Sequence, residues 1–329
     1  MPWPRSRASG CARRRCASVP DGVGPALGGQ RAVVEAAREL CAAGRAFVLT
    51  LVVEAEGSTY RKPGALALVT ADGRRVGVIS GGCLEPGLVT LAQSALAAAQ
   101  PRDTVFDTRT DDDLVFGSGS GCRGRMRVVA LPVLPGTPSQ VLDAVLTAHE
   151  THRPARLALE TVAPGLGLRG VVTVQPPPRI LLIGAGPEAP PLLEIARTLG
   201  WYVWLADHRT ALLEEPRLKA VDRVIAARPA QALSDLAGTP LDAAIAMTHT
   251  AEHDLAALAA LAAHEVRYVG LLGPPARRDE LLARLLPAQR AALEGRLHAP
   301  VGLKLGGEGP EAIALTIAAE LQREFHRAG

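Results

Sequence analysis

The sequence predicts an α/β protein built from two dissimilar domains: an N-terminal α+β domain with a mixed sheet, followed by a C-terminal domain with a parallel sheet. Its 329 residues are about twice the usual length of one domain. Before residue 134, β-branched runs are separated by short turns, which is typical of hairpins. From residue 179 onward, short apolar runs alternate with helical segments, the order that produces a parallel sheet.

The composition is that of a globular protein, and it excludes several classes of partner. Hydrophobic residues make up 48% of the chain and charged residues 21%, and the formal net charge is +3. That charge is too small to indicate a nucleic-acid-binding or membrane-binding surface. Aromatic residues are 3% of the chain, which argues against binding single strands by base stacking. No apolar run reaches the ~20 residues of a membrane-spanning helix, so no membrane is expected as a partner.

The cysteines indicate a reducing compartment. They are odd in number and thinly spread over the first 122 residues: Cys11, Cys16, Cys41, Cys83 and Cys122. That pattern is not a disulfide framework. Residues 1–25 carry an arginine cluster but no apolar signal-peptide core. We therefore expect a cytoplasmic protein whose residues 1–25 form a disordered arm.

Residues 26–134 are predicted to form the N-terminal domain. The first helix stops at Gly44, and Asp72-Gly73 is a hairpin turn signal. The predicted elements are a helix over 31–43, strands over 47–53, 65–70 and 74–80, a helix over 84–100, and strands over 104–107 and 126–133.

Residues 135–178 are predicted to be a connecting segment, and residues 179–329 the parallel-sheet domain. The segment holds a helix around 140–149 and ends in three consecutive prolines, which is typical of a linker. In the domain, the apolar runs RILLI, WYVWLA, VDRVIA, LDAAIAMT and RYVGLL are predicted strands. Helices are predicted over 192–199, 255–263 and 310–323.

A glycine-rich turn joins the first strand and helix of the second domain. Gly184 and Gly186 lie in that turn, and Asp207 ends the following strand. This order fits the dinucleotide fingerprint, in which glycines let the backbone approach a pyrophosphate and an acid holds a ribose hydroxyl. The second domain is therefore predicted to be of the Rossmann type.

The same turn also has features that disfavour a bound nicotinamide cofactor. Pro187, Pro190 and Pro191 have no N–H to offer a phosphate, and Glu188 places a negative charge near it. Arg209, two residues after the acid, leaves the choice between NAD and NADP open.

The sequence SGGCLE, residues 80–85, begins the second predicted helix. Gly81 and Gly82 free the backbone to turn its amides toward a ligand, and Cys83 falls at the positive end of the helix, which favours thiolate. Glu85 is placed to cap the same turn. The alternative is a small buried cysteine at a tight packing corner.

A second cysteine lies in the sequence FGSGSGCRG, residues 116–124. Cys122 is followed by Arg123, Arg125 and Arg127, which favour the thiolate and suit binding of phosphate or carboxylate. The alternative is a flexible hairpin tip.

The sequence THTAEHD contains two histidines four residues apart. His249 and His253 suit a zinc site on one helix face, or a strand end that lines the crevice of the parallel sheet. Arg277 and Arg278 begin a later helix, where they oppose its dipole and are predicted to face an anion.

Together these motifs resemble the xanthine dehydrogenase accessory protein family, of the XdhC/CoxI type. EGSTYRKPGALALVTADGRRVGVISGGCLE is similar to its N-terminal signature, and FGSGSGCRG to its second cysteine loop. LLIGAG, ADHR, DAAIAMTHTAEHD, RYVGLLGPPARR and LHAPVGLKLGGEGPEAIALTIAAE follow the order of its Rossmann-type domain. The resemblance extends from about Arg31 to the end of the chain.

The resemblance implies a cytoplasmic chaperone with no turnover of its own. Such a protein binds molybdenum cofactor (molybdopterin), supports its sulfuration and delivers it to a molybdenum hydroxylase of the xanthine or CO dehydrogenase type. A cysteine desulfurase is a further implied partner, and the chain is expected to form a homodimer.

The cofactor is expected between the two cysteine loops and the crevice of the Rossmann-type domain. Thiolate suits a soft metal–sulfur centre, and the pterin phosphate requires amides and arginines. Cys122 is the expected molybdenum or sulfur contact and Cys83 the second, with either able to carry a persulfide. The expected cofactor-binding residues are Cys122, Cys83, Gly81, Gly82, Glu85, Gly119, Gly121, Arg123, Gly184, Gly186, Asp207 and Arg209.

Two other functions stay open. An NAD(P)-dependent oxidoreductase is supported by the fingerprint and Asp207, with His249 nominated for proton transfer. A non-catalytic scaffold that bridges a desulfurase and its target enzyme predicts partner binding without a small ligand.

Overall fold

The computed structural model describes residues 29–82, 84–109 and 123–327. The predicted arm, Cys83, Gly119, Gly121 and Cys122 lie outside these residues. Within the described ranges, no helix is long and apolar enough to cross a membrane.

The order of elements follows the two-part organisation predicted from the sequence. The described helices are α1 (Gly29–Ala42), α2 (Glu85–Ala98), α3 (Gln140–Thr151), α4 (Leu159–Val162), α5 (Ala189–Leu199), α6 (Thr210–Leu213), α7 (Pro229–Asp235), α8 (Ala251–Leu261), α9 (Pro275–Arg284), α10 (Pro287–Leu293) and α11 (Gly309–Phe325). The described strands are β1 (Phe47–Gly57), β2 (Leu66–Thr70), β3 (Arg75–Val76), β4 (Arg102–Asp107), β5 (Gly124–Val133), β6 (Ala155–Ala158), β7 (Val171–Val174), β8 (Arg179–Ile183), β9 (Tyr202–Ala206), β10 (Arg223–Ile225), β11 (Ala243–Ala246), β12 (Tyr268–Leu271) and β13 (Leu297–His298).

The N-terminal sheet is antiparallel. Its described strands lie in the order β3-β2-β1-β5-β4, and each neighbouring pair is antiparallel. The mixed sheet predicted for this domain is therefore wrong in that detail. Helix α2 carries the chain from β3 at one edge to β4 at the other, so it does not create a parallel neighbour.

Both faces of this sheet are covered, by different layers. Alternate residues of β1 enter two separate cores, which explains its unbroken run of buried residues. Helices α1 and α3 and the β6–β7 hairpin cover one face, and α2 covers the other. The segment 135–178, predicted as a connection, supplies α3 and this hairpin and packs into the core of the N-terminal domain.

The second sheet is parallel, as predicted. Its described strands lie in the order β10-β9-β8-β11-β12-β13, all paired in parallel, with apolar cores on both faces. The strand order reverses between β8 and β11, which is the point where Rossmann-type domains open a crevice at the carboxyl ends of the strands. The Gly184 turn and Thr248–His249 flank that point.

The two domains contact each other at the amino ends of the parallel strands, opposite the crevice. Arg31 of α1 donates from Nη1 to the carbonyl oxygen of Trp201 and to Oδ2 of Asp222, at 2.8 Å each. His152, just after α3, has Nε2 2.7 Å from Oδ2 of Asp242. Trp201, Asp222 and Asp242 each directly precede a strand of the parallel sheet. The N-terminal domain therefore packs against the amino ends of these strands.

A buried histidine lies in the same interface. His149 of α3 is 5% exposed, and its Nδ1 is 3.3 Å from the Tyr202 hydroxyl. Its Nε2 is buried with no hydrogen-bond partner among the described residues. Burial first, and then the positive charges of Arg38, His152 and Arg31, lower the pKa of His149 to about 4.

We expect this histidine to make the fold acid-sensitive. Since its pKa falls from 6.5 to about 4 on folding, the unfolded chain takes up the proton first as the pH drops. Between pH 7 and pH 4, the free energy of unfolding should therefore fall by about 3 kcal/mol more in the wild type than in His149→Phe. Urea denaturation at both pH values measures this, with exposed His326→Phe as the control. Equal pH dependence in the wild type and His149→Phe would contradict it.

Candidate functional site

An open cavity of about 730 Å³ lies beside the first cysteine loop. This volume falls within the ~300–1,000 Å³ that ligand sites commonly occupy. The wall combines apolar side chains with a polar end near the start of α2. It is formed by Tyr60, Gly73, Arg75, Val78, Ser80, Gly81, Gly82, Glu85, Pro86 and Val89.

Ser80 organises the loop that carries Cys83. Its hydroxyl oxygen accepts from the amides of Gly82, at 3.3 Å, and Leu84, at 3.2 Å, and its proton goes to Oε1 of Glu85, at 3.0 Å. Ser80 is 3% exposed and Glu85 8% exposed, and Arg75 forms an ion pair with the other Glu85 oxygen. The amides on both sides of position 83 are thus held by one buried hydroxyl. Ser80 and Arg75 were not predicted as site residues, although serine hydroxyls in turns are known to bond the backbone two residues further on.

Gly82 is required by backbone conformation. Its φ is +114°, a backbone conformation that residues other than glycine rarely adopt. Space around it is open, so the turn itself selects glycine. Gly81 and Glu85 both line the cavity, which places these three predicted site residues in one turn.

The base of the second cysteine loop lies at the same end of the domain. Thr108 donates from its backbone N to the carbonyl oxygen of Gly124, at 2.9 Å, and Ser58 donates to that of Arg123, at 3.2 Å. A second, narrow cavity of about 40 Å³ is bordered by Ser58, Thr108 and Gly124 and also by Gly81. The described ends of the two cysteine loops therefore border a common space.

Two arginines predicted to favour the second thiolate lie elsewhere. Side chains alternate along β5, so Arg125 and Arg127 point away from the face where Met126 borders the narrow cavity. Arg125 pairs with Glu54, at 3.4 Å, and Arg127 pairs with Asp103, at 2.7 Å. They form cross-strand ion pairs instead of an anion clamp. Arg123 stands at the base of the loop.

In the Rossmann-type domain, Asp207 holds its own chain. It is 4% exposed, and its Oδ2 accepts from the Ala185 amide, at 2.8 Å, and from Nη2 of Arg209, at 2.7 Å. Its Oδ1 accepts from the Arg209 amide at 2.8 Å. Burial alone would raise the pKa of Asp207, but these bonds outweigh it and lower the pKa to about 2. The acid expected to hold a ribose hydroxyl already has protein donors on both oxygens.

A histidine–glutamate pair covers the turn at the start of α5. Nε2 of His249 lies 3.0 Å from Oε2 of the buried Glu188. A Cβ on Gly186 would lie 2.9 Å from that nitrogen and 3.1 Å from that oxygen, so the pair fills the space next to the glycine. Gly184 serves strand packing, since a Cβ there would be 2.5 Å from the Met247 carbonyl oxygen. A pyrophosphate would have to displace the side chains of His249 and Glu188.

Several other side chains at the carboxyl ends of these strands also contact protein groups. The His253 and His208 rings contact edge to face at 4.4 Å between centroids. In the ranges that the structure describes, no group of three or more His, Cys, Asp or Glu residues is placed to hold a metal ion. Arg277 pairs with the fully buried Asp254 at 2.6 Å, and Arg278 donates to a backbone carbonyl. Both arginines therefore have protein acceptors, and the anion predicted for them stays a prediction.

The described residues of the two predicted cofactor-binding groups lie in different parts of the structure. Gly184, Gly186, Asp207 and Arg209 lie at or after the carboxyl ends of parallel strands, whereas the N-terminal domain contacts the amino ends. A five-residue strand alone puts ~16 Å between those edges. The bonds that join the domains come from α1 and α3, while the cavity adjoins α2 on the other face of the N-terminal sheet. One cofactor held between the two cysteine loops and the crevice stays a prediction.

Comparison with known proteins agrees with this two-part architecture. Residues 40–107 match the model of the XdhC and CoxI family, and residues 180–321 match that of the XdhC Rossmann domain. A Bacillus subtilis protein described as a probable subunit of xanthine dehydrogenase is 31% identical over 309 residues, which cover 83% of this chain and 92% of that protein. The molybdenum cofactor insertion chaperone PaoD of Escherichia coli is 25% identical over 305 residues, 88% of this chain and 87% of that protein.

A solved structure shares the fold across both domains. The crystal structure described as a xanthine dehydrogenase from Bacillus halodurans has a TM-score of 0.75 and 29% identity, and the match covers 91% of this chain and 97% of that one. The fold and the SGGCLE cavity thus define a two-domain protein with a cysteine loop before a Rossmann-type domain. The chain belongs to the XdhC and CoxI family.

We expect Ser80→Ala to loosen the turn around Cys83. Loss of its hydroxyl leaves two amides and a buried carboxylate without that partner, at about 1 kcal/mol for each bond. Hydrogen exchange of the Gly82 and Leu84 amides should accelerate about tenfold. Ser94→Ala, on the exposed side of α2, is the control and should leave exchange at residues 81–85 unchanged. Unaltered exchange in Ser80→Ala would contradict the organising role of Ser80.

We also expect no tight binding of NADH or NADPH. The place of the pyrophosphate is filled by Glu188 and His249, and Asp207 is already bonded on both oxygens. Titration followed by nicotinamide fluorescence should show no saturation at micromolar concentrations. Saturable micromolar binding would contradict this account of the crevice and favour an oxidoreductase.

Proposed function

We propose that this protein is an accessory protein of molybdenum-enzyme maturation, which holds molybdenum cofactor as its cargo in the cavity beside residues 80–85. The cargo passes from there to a molybdenum hydroxylase of the xanthine or CO dehydrogenase type. The names of two relatives support the class of function: one is described as a probable subunit of xanthine dehydrogenase, and the other as a molybdenum cofactor insertion chaperone. The observation that carries the proposal is the cavity bordered by the first cysteine loop, with the base of the second loop beside it.

The residues around the cavity fit the chemistry of such a cargo. Cys83 lies between two residues held by the Ser80 hydroxyl, and Cys122 directly precedes Arg123 at the base of the second loop. Thiolates are soft ligands that suit a molybdenum–sulfur centre. The cavity wall adds the Arg75 guanidinium near a polar end and apolar side chains for a flat ring. Cys122 is proposed as the molybdenum or sulfur contact and Cys83 as the second.

The proposal places the cargo in the N-terminal domain alone. Gly81, Gly82, Glu85 and Arg123 remain proposed contacts, together with Gly119 and Gly121 of the second loop. The four residues nominated in the Rossmann-type domain have protein contacts that account for them: strand packing at Gly184, the covered turn at Gly186, and the Asp207–Arg209 pair. An accessory role therefore fits this chain better than an NAD(P)-dependent oxidoreductase.

We further propose that the cargo is sulfurated while this protein holds it. A cysteine desulfurase would be the sulfur donor, and a persulfide on Cys83 or Cys122 would hold the sulfur close to the cargo. We also propose that the chain assembles as a homodimer. A scaffold without cargo would bind both enzymes and yet carry no pterin.

Cofactor content tests the proposal directly. The protein is purified without oxygen from a host that makes molybdenum cofactor, and the released pterin is oxidised and measured by fluorescence together with molybdenum. We expect near-stoichiometric pterin in the wild type and in Cys41→Ala, a control that alters an exposed cysteine of α1. Cys122→Ala should lose most of it, and Cys83→Ala a smaller part. Pterin no higher than in protein from a cofactor-deficient host would contradict the function. Unchanged loading in both variants would contradict the cysteine roles.

A further inference from the structure

An aromatic ring stands exposed where the two cavities meet. Tyr60 is 59% exposed and borders both the open cavity and the narrow one. A Cβ on Gly81 would lie 4.0 Å from its Cδ2 atom, so the ring is directly beside the glycine loop. The chain has three tyrosines, and the other two, Tyr202 and Tyr268, contact residues within the protein. Tyr60 is the tyrosine whose ring faces water at the cavity.

The backbone around this ring is tied at several points. Ser58 donates to the Arg123 carbonyl oxygen at 3.2 Å, and Gly64 donates to that of Val52 at 2.9 Å. Thr59 donates from Oγ1 to the Arg61 carbonyl oxygen at 2.9 Å. Because the backbone around Tyr60 is already tied, a ligand that covers the ring has little further chain to order, and tyrosine supplies a large contact area with few rotatable bonds.

We propose that Tyr60 is the platform on which the flat heterocycle of the ligand stacks; this inference rests on the proposed function of the same cavity. Stacked rings gain contact area and a favourable quadrupole arrangement that an aliphatic side chain does not provide. Val78, Pro86 and Val89 supply apolar wall nearby. Arg75, which pairs with the buried Glu85 and lines the cavity, provides N–H groups for the ring edge or an anionic substituent. This combination selects a planar, hydrogen-bonding ring over a compact anion.

Two ring systems share this chemistry, a pterin and a nucleobase, and a titration distinguishes them. Full-length protein free of cargo is titrated with pterin-6-carboxylate, followed by the quenching of pterin fluorescence, and with adenosine monophosphate, followed by calorimetry. We expect Tyr60→Phe to bind pterin-6-carboxylate within about twofold of the wild type, because it keeps the ring. Tyr60→Leu should weaken binding about tenfold, since stacking of one base on an aromatic side chain contributes ~1–3 kcal/mol.

Each outcome decides the role of Tyr60 separately from the proposed function. Equal pterin affinity in Tyr60→Leu and the wild type would overturn the platform, as would an equal loss in Tyr60→Phe. Tighter binding of adenosine monophosphate with the same dependence on the ring would support stacking but assign the ring to a nucleobase. Cofactor purified with the wild type and retained in full by Tyr60→Leu would leave the proposed function standing and remove the platform.

Discussion

The contact of Arg31 with Asp222 and Trp201 is the constraint on which the arrangement of the molecule depends. Because these acceptors precede parallel strands, this arginine fixes the N-terminal domain to the edge where the strands begin. The crevice lies at the carboxyl ends of the same strands, opposite this contact. In the same interface, burial and then the positive charges of Arg38, His152 and Arg31 lower the pKa of His149 and keep it neutral.

The polar groups of the two domains are used differently. In the N-terminal domain, buried polar groups hold a turn whose glycines line an open cavity, and the exposed ring of Tyr60 lies beside it. In the Rossmann-type domain, the groups that would bind a dinucleotide are bonded to one another. The fold of that domain was predicted correctly from its fingerprint, yet its side chains use the fingerprint for internal contacts, which illustrates that function depends on the site and not on the fold.

Local patterns in the sequence predicted the elements well, while long-range pairing was beyond them. The alternation of apolar runs and helices was sufficient for the parallel sheet, and Gly44 and Asp72-Gly73 marked real boundaries. The first sheet is antiparallel because α2 connects the two edge strands, β3 and β4. No local sequence pattern predicts that connection. The packing of residues 135–178 into the first core was missed for the same reason. The packing of the N-terminal domain against the amino ends of the parallel strands depends on Arg31 and Asp222. These residues are 191 positions apart, and neither belongs to a motif.

Cofactor retention in crevice variants tests the central claim, that the cargo site lies wholly in the N-terminal domain. Asp207→Asn and His249→Gln alter the crevice at the carboxyl edge, and circular dichroism would show that each variant is folded. If the cavity beside Ser80 and Glu85 is the site, both variants purified without oxygen should contain as much pterin per chain as the wild type. Loss of pterin in either folded variant, to the level of the cofactor-deficient host, would contradict the account and place the crevice in the cargo site.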